Sequence, residues 1–102
     1  MFIARVTGSV VSTQKAEAMV GQKLLVVEPY RLNDPARDAL VSTGRTFIAV
    51  DTLGAGVDDF VLVVQGSSAR LTPEPSKLPI DAAVIGIVDR VTIEKQAVYT
   101  RD

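Results

Sequence analysis

Phe2, Ala4, Val6, Gly8 and Val10 alternate along the chain with Ile3, Arg5, Thr7 and Ser9. A period of two with one apolar and one largely polar face predicts a β-strand. Residues 11–22 (VSTQKAEAMVGQ) break the alternation and read as a connection. A helical turn over residues 16–19 would end at Gly21. Residues 23–30 (KLLVVEPY) predict a second strand, apolar on both faces. Residues 31–45 (RLNDPARDALVSTGR) are polar and carry the turn signals Asn33-Asp34-Pro35 and Gly44. Residues 46–53 (TFIAVDTL) and 60–65 (FVLVVQ) predict the third and fourth strands.

Residues 66–71 (GSSARL) predict a short helical turn, with Ser67 placed to cap it. Three prolines over residues 72–79 exclude a strand interior there. Residues 82–94 (AAVIGIVDRVTIE) predict one long strand with Ile85, Ile87, Val91 and Ile93 on a common face. Gly86 within it signals a bulge or bend of the kind that closes a small barrel. Residues 95–100 (KQAVYT) then fold back as a hairpin arm. Five main strands and about one helical turn point to a small antiparallel barrel or sandwich. A barrel has one interior, so the outward residues of the two-sided apolar strands need a second cover. A terminal segment or a neighbouring subunit would each provide it.

The chain has 102 residues, enough for one domain over 1–102. Hydrophobic residues make up 47%, which places it among globular chains. Net charge is −1 and the eleven Lys and Arg are scattered, so no basic surface gathers to attract a phosphate backbone. With no cysteine and no histidine, thiol chemistry, thiolate or imidazole metal sites and the usual neutral-pH proton carrier are all missing. The cysteine-free composition fits a cytosolic protein. The N-terminal residues do not read as a signal peptide, and no apolar stretch approaches the ~20 residues that cross a bilayer.

Candidate chemistry is thin. Gly54-Ala55-Gly56 resembles the start of a dinucleotide loop, but Asp58 and Asp59 follow where a third glycine and a phosphate-binding helix belong, and the next element is a strand. A glycine turn between strands accounts for it. Asp51, Asp58 and Asp59 lack the spacing of a calcium loop and read as solvated acids flanking that turn. Asp81 and Asp89 are the candidates for an acid/base pair of a small hydrolase, but they stand at opposite ends of a segment whose alternation indicates packing, and Asp89 beside Arg90 reads as facing water or an ion pair at a subunit boundary. Ser12-Thr13-Gln14-Lys15 and Ser67-Ser68 lack any sign of a buried lysine or an oxyanion hole. Phe47 and Phe60, two of the five aromatics, lie inside apolar runs, which weakens a nucleic-acid stacking surface. The expectation is no catalytic set, no metal and no cofactor.

The order MFIARVTGSVVSTQK, KLLVVEPY, FIAVDTLGAGVDDFVLVVQGSSAR, PIDAAVIGIVDRV resembles the bacterial microcompartment vertex protein family. This is the pentameric shell-protein family shared by carboxysomes and ethanolamine-type compartments. The match covers most of the chain, and the strand–D-T-x-G-A-G–strand–x-G-S-S-A-R block is its most specific part. The resemblance implies an all-β, five-stranded, OB-like closed barrel with one short helix and the hairpin arm. It implies a homopentamer at the fivefold corners of a shell, beside hexagonal shell proteins, with no nucleic acid and no membrane. A ring of six differs only by a modest change of interface angle. A subunit interface then becomes the favoured cover for the two-sided strands. Leu53, Gly54, Ala55 and Gly56 would form an axial loop that lines a narrow pore. Ser67, Ser68, Ala69, Arg70, Asp89 and Arg90 would lie near a subunit boundary. The other function class compatible with an OB-like barrel is a small binding module for single-stranded nucleic acid or oligosaccharide.

Overall fold

The computed structural model describes residues 1–12, 21–66 and 81–102. Its strands are β1 (Phe2–Val10), β2 (Lys23–Leu32), β3 (Leu40–Ser42), β4 (Phe47–Asp51), β5 (Phe60–Gln65), β6 (Ala82–Ile87), β7 (Arg90–Ile93) and β8 (Gln96–Thr100). β1, β5, β6, β4 and β2 pair in that order, and β1 pairs again with β2, so five strands close into a barrel. All of these pairings are antiparallel except β4 with β6, which is parallel. The expected all-antiparallel arrangement therefore fails at one seam.

The sequence periodicity locates the five barrel strands but misjudges three details. β2 runs on to Leu32 and pairs with β3, inside what reads as a polar loop. One asparagine organises the connection: the Asn33 carboxamide oxygen accepts the backbone N–H groups of Asp38 and Ala39, both at 2.9 Å. Side-chain capping of this kind is invisible to hydrophobic periodicity. The expected single strand over 82–94 breaks at Val88 and Asp89 into β6 and β7. The third difference concerns faces. No α-helix occurs among the described residues, and the helical turn expected at 66–71 lies, beyond Gly66, outside them, as does most of the 11–22 connection.

Two bulges decide which side chains enter the barrel. In β1 the register steps from Val6 opposite Val27 to Gly8 opposite Val26, leaving Thr7 as the extra residue. An extra residue reverses the alternation beyond it. Ala4 and Val6 point inward and are fully buried, while Val10 lies opposite Leu24 on the outer face and does not share theirs. In β6, Val84 opposes Val63 and Gly86 opposes Leu62, so Ile85 is the bulged residue. Val84 and Ile87 both pack on the interior, and Ile85 is 37% exposed instead of sharing the face of Ile87. The signal carried by Gly86 thus corresponds to a bulge at its neighbour.

The interior is filled by alanine, valine and leucine from all five strands, with Phe2, Phe47 and Ile87 against its edge. Outside the wall, Leu24, Val50, Ala83 and Val64 form a second apolar row. Val50 and Ala83 are each 1% exposed within the single chain. Val50, Ala83 and Val64 are thus covered within the chain, while Leu24, Val26 and Leu62, the other outward residues of the two-sided strands, are only partly buried. Ile48, on the same outer face of β4, remains 46% exposed.

β7 and β8 pair with each other in a separate two-stranded sheet. The arm is seated at its base, where the Tyr99 ring lies 4.4 Å from that of Phe60 and the Arg101 N–H donates to the Asp89 carbonyl at 2.8 Å. Its turn is two residues long, and Glu94 and Lys95 both carry positive φ (50° and 69°). A two-residue hairpin turn asks for that conformation, which Asn-Gly adopts at far less cost. Replacing Glu94→Asn and Lys95→Gly together is expected to slow amide exchange in β7 and β8 about tenfold, equivalent to about 1.4 kcal/mol, with barrel amides unchanged.

Candidate functional site

The connection between β4 and β5 is the part of the chain whose residues fit chemistry best, and the structure shows what that chemistry is for. β4 ends on Asp51, which faces inward at the barrel mouth and is 4% exposed. A buried carboxylate needs donors. One Asp51 oxygen accepts the Leu53 N–H at 2.8 Å and the other accepts the Ala55 N–H at 2.7 Å. Lys23 stands opposite Asp51 across the β2–β4 ladder. Its ammonium lies 3.7 Å from Asp51 and donates to the Ala55 carbonyl at 2.9 Å. The carboxylate and ammonium together satisfy both backbone polar groups of Ala55, whose methyl is buried in the barrel core.

Gly54 supplies the positive φ (85°) that turns the chain between the two anchored amides. The far end of the loop is tied as firmly. Gly56 and Asp59 bond reciprocally: the Gly56 N–H donates to the Asp59 carboxylate at 2.9 Å, and the Asp59 N–H to the Gly56 carbonyl at 3.0 Å. Beside the β1 bulge, the Val6 N–H donates to the Asp59 carbonyl at 2.9 Å and the Val6 carbonyl accepts the Asp58 N–H at 2.8 Å. Asp58 is held at positive φ and pairs with Arg5 at 2.7 Å. The Tyr30 hydroxyl, and after it the Asp58 carboxylate, push the Arg5 guanidinium above its ordinary range, so Arg5 is a permanent cation here. Asp59 also lies 3.3 Å from Arg101 of the C-terminal segment.

The reading of Asp51, Asp58 and Asp59 as solvated acids therefore holds only for Asp58, whose side chain is 76% exposed. Asp51 and Asp59 clamp the loop. Lys23 and Arg101 were not singled out by sequence reasoning, because both act across the chain through pairings that only the closed barrel creates. Among the described residues, no group of three or more acidic, cysteine or histidine side chains is placed to hold a metal. Asp81 and Asp89 are exposed at the two ends of β6. Phe60 packs edge-on against Tyr30 at 5.0 Å as well as against Tyr99, so these rings meet one another.

Of the residues expected to form an axial loop, Leu53 is 48% exposed, Gly54 and Gly56 are exposed, and Ala55 turns inward. Val57, 63% exposed, joins them at the surface. Asp89 lies 3.9 Å from Arg101, and Arg90, exposed, begins β7. Ser67, Ser68, Ala69 and Arg70 lie outside the described residues.

Residues 1–89 match the family described as ethanolamine utilisation protein EutN/carboxysome. The chain is 44% identical over 101 residues to the carboxysome shell vertex protein CcmL of Synechococcus elongatus, covering 99% of this chain and 96% of that protein. Its fold is similar to the structure of Gloeobacter violaceus CcmL, with a TM-score of 0.88 and 39% identity over 99% of this chain and 98% of that one. It is also similar to the pentameric microcompartment shell protein GrpN of Rhodospirillum rubrum, with a TM-score of 0.74 and 44% identity over 91% of this chain and 98% of that one.

Asp51→Ala would leave the Leu53 and Ala55 N–H groups without their acceptor and the Lys23 ammonium without its counter-ion. The expected loss is about 3 kcal/mol in urea unfolding, since each buried unpaired donor costs about 1–3 kcal/mol. Asp51→Asn should cost less, because its one carbonyl oxygen still serves one amide. Lys23→Met should cost about 1 kcal/mol, as Lys23 is half exposed and the backbone donors to Asp51 remain.

Proposed function

The chain belongs to the EutN/CcmL family of microcompartment shell vertex proteins, and on that premise we propose that it is a structural subunit that closes into a homopentamer and caps the fivefold vertices of a bacterial microcompartment shell. The observation that carries the reading is near-complete coverage, at 44% identity, of a relative whose structure is a pentameric shell protein. The physical requirement is geometric. A flat sheet of hexagonal tiles closes only around fivefold points, and a head-to-tail interface whose rotation closes after five copies provides one. The 102 residues act as one vertex unit, in the shell within the bacterial cytoplasm, with hexagonal shell proteins as neighbours.

The role is non-enzymatic. The acids that gather at the β4–β5 loop are spent on backbone amides and on Arg5, Lys23 and Arg101. Leu53, Gly54 and Gly56 face the ring axis, where five copies of a loop must approach and small residues permit it. Asp89 and Arg90 lie toward the subunit boundary; Ser67, Ser68, Ala69 and Arg70, expected there too, are outside the described residues. An OB-like binding module gains no support from the aromatic residues, since Tyr30, Phe60 and Tyr99 pack against one another.

The two glycines separate the backbone's own demands from those of a neighbour. A Cβ on Gly56 would meet only the Asp59 carboxylate at 3.9 Å, and its φ is not in the left-handed region. Gly56→Val should therefore leave the barrel's unfolding midpoint nearly unchanged while native mass spectrometry, which should find five 10.9 kDa subunits in the parent protein, records loss of the ring. Gly54→Ala strains a φ of 85° whatever its surroundings and should cost about 1 kcal/mol in any oligomeric state. A Gly56→Val protein that still forms five-subunit rings with unaltered axial geometry would count against an axial loop.

A further inference from the structure

The family match ends at residue 89, and β7 begins at the next residue. The pentameric Rhodospirillum rubrum relative is covered almost whole while part of this chain is left aside. The CcmL relatives nonetheless cover 99% of this chain, the hairpin arm included, so the arm is shared with them, and its contacts show what it does here. Tyr99 seats it on Phe60, the first residue of β5, and Arg101 reaches from its end to the loop before β5. Arg101 is held in place by its own N–H bond to the Asp89 carbonyl, and its guanidinium also lies 3.9 Å from the Asp89 carboxylate. Residues 57–59 and 99–102 form the two walls of an open groove, and Arg101 bridges it.

The two oxygens of Asp59 have different tasks. One lies 3.3 Å from the Arg101 Nε, and the other accepts the Gly56 N–H. The Asp59 backbone is fixed by Val6, so the carboxylate retains only its side-chain rotation. Arg101 restrains that rotation and so keeps the acceptor oxygen aimed at Gly56. We propose that Arg101 is a positioning residue: acting through Asp59, it makes the C-terminal arm a brace for the Gly56 end of the β4–β5 loop. The loop is then clamped at both ends, by Asp51 with Lys23 at its start and by Asp59 with Arg101 at its finish. That this clamp sets the aperture of a ring rests on the vertex reading; the clamp itself does not.

Residue-resolved amide exchange on the full chain tests it, with the subunit count taken by native mass spectrometry on the same samples. Arg101→Gln is expected to speed exchange of the Gly56 amide about fivefold, while the amides of Leu53 and Ala55, held by Asp51, and those of the barrel strands keep their rates. Arg101→Lys, which keeps the charge, should restore at least half of the lost protection. Removal of residues 101–102 should reproduce the Arg101→Gln result. An unchanged Gly56 rate in both the Gln variant and the truncated chain would overturn the proposal. So would a uniform acceleration of all amides, which would make Arg101 a general stabiliser. Faster Gly56 exchange in a protein that is not a five-subunit ring would support the brace and remove the axial reading.

Discussion

A carboxylate withdrawn from water at the mouth of a barrel must be met by donors, and the donors that meet Asp51 belong to the loop immediately after it. Two short bonds to the Leu53 and Ala55 amides turn the chain back over the barrel end and place the Ala55 methyl in the core. Lys23, opposite Asp51 in the next strand, compensates the charge and takes the Ala55 carbonyl. This interaction joins two parts of the molecule: the interior is sealed at that end, and the exposed residues Leu53 and Gly54 are presented on a fixed backbone.

The wall below the loop owes its shape to two extra residues. Thr7 and Ile85 bulge from strands on either side of β5, and each reverses the inward-outward sense of the residues after it in its strand. Without the first, Val10 would continue the buried face of Ala4 and Val6. Without the second, Ile87 would lie on the outer face with Leu62, and Gly86 would point inward. Bulges also increase twist and bend, which is what lets as few as five strands close. In the outer apolar row, Val50, Ala83 and Val64 are covered within the chain and Leu24 is partly buried. Among the described residues, the large apolar groups left exposed, Ile48 and Val57 among them, do not belong to that row.

The acids near the glycines show how composition and role can part company. By residue type alone, the Gly-x-Gly turn suggests a phosphate loop and the three aspartates beside it a cation loop. In the folded chain they are acceptors for backbone N–H groups and partners for Arg5, Lys23 and Arg101. Their chemistry is used to hold shape. That use agrees with membership of a family of shell vertex proteins.

Alternation and apolar runs determined the all-β class, the places of the five barrel strands and the arm's return, because side-chain period and β propensity are local properties. The D-T-L-G-A-G stretch marked the loop, because an aspartate beside glycines signals a backbone turn wherever it occurs. Local pattern does not carry register. A single bulged residue exchanges the two faces of a strand without altering composition, so the orientations of Val10 and Ile85 were settled only by pairing with β2 and β5. The same holds for Lys23 on Asp51 and Arg101 on Asp59. Those contacts span 28 and 42 positions of sequence, and only the closed barrel with its seated arm brings each pair within reach.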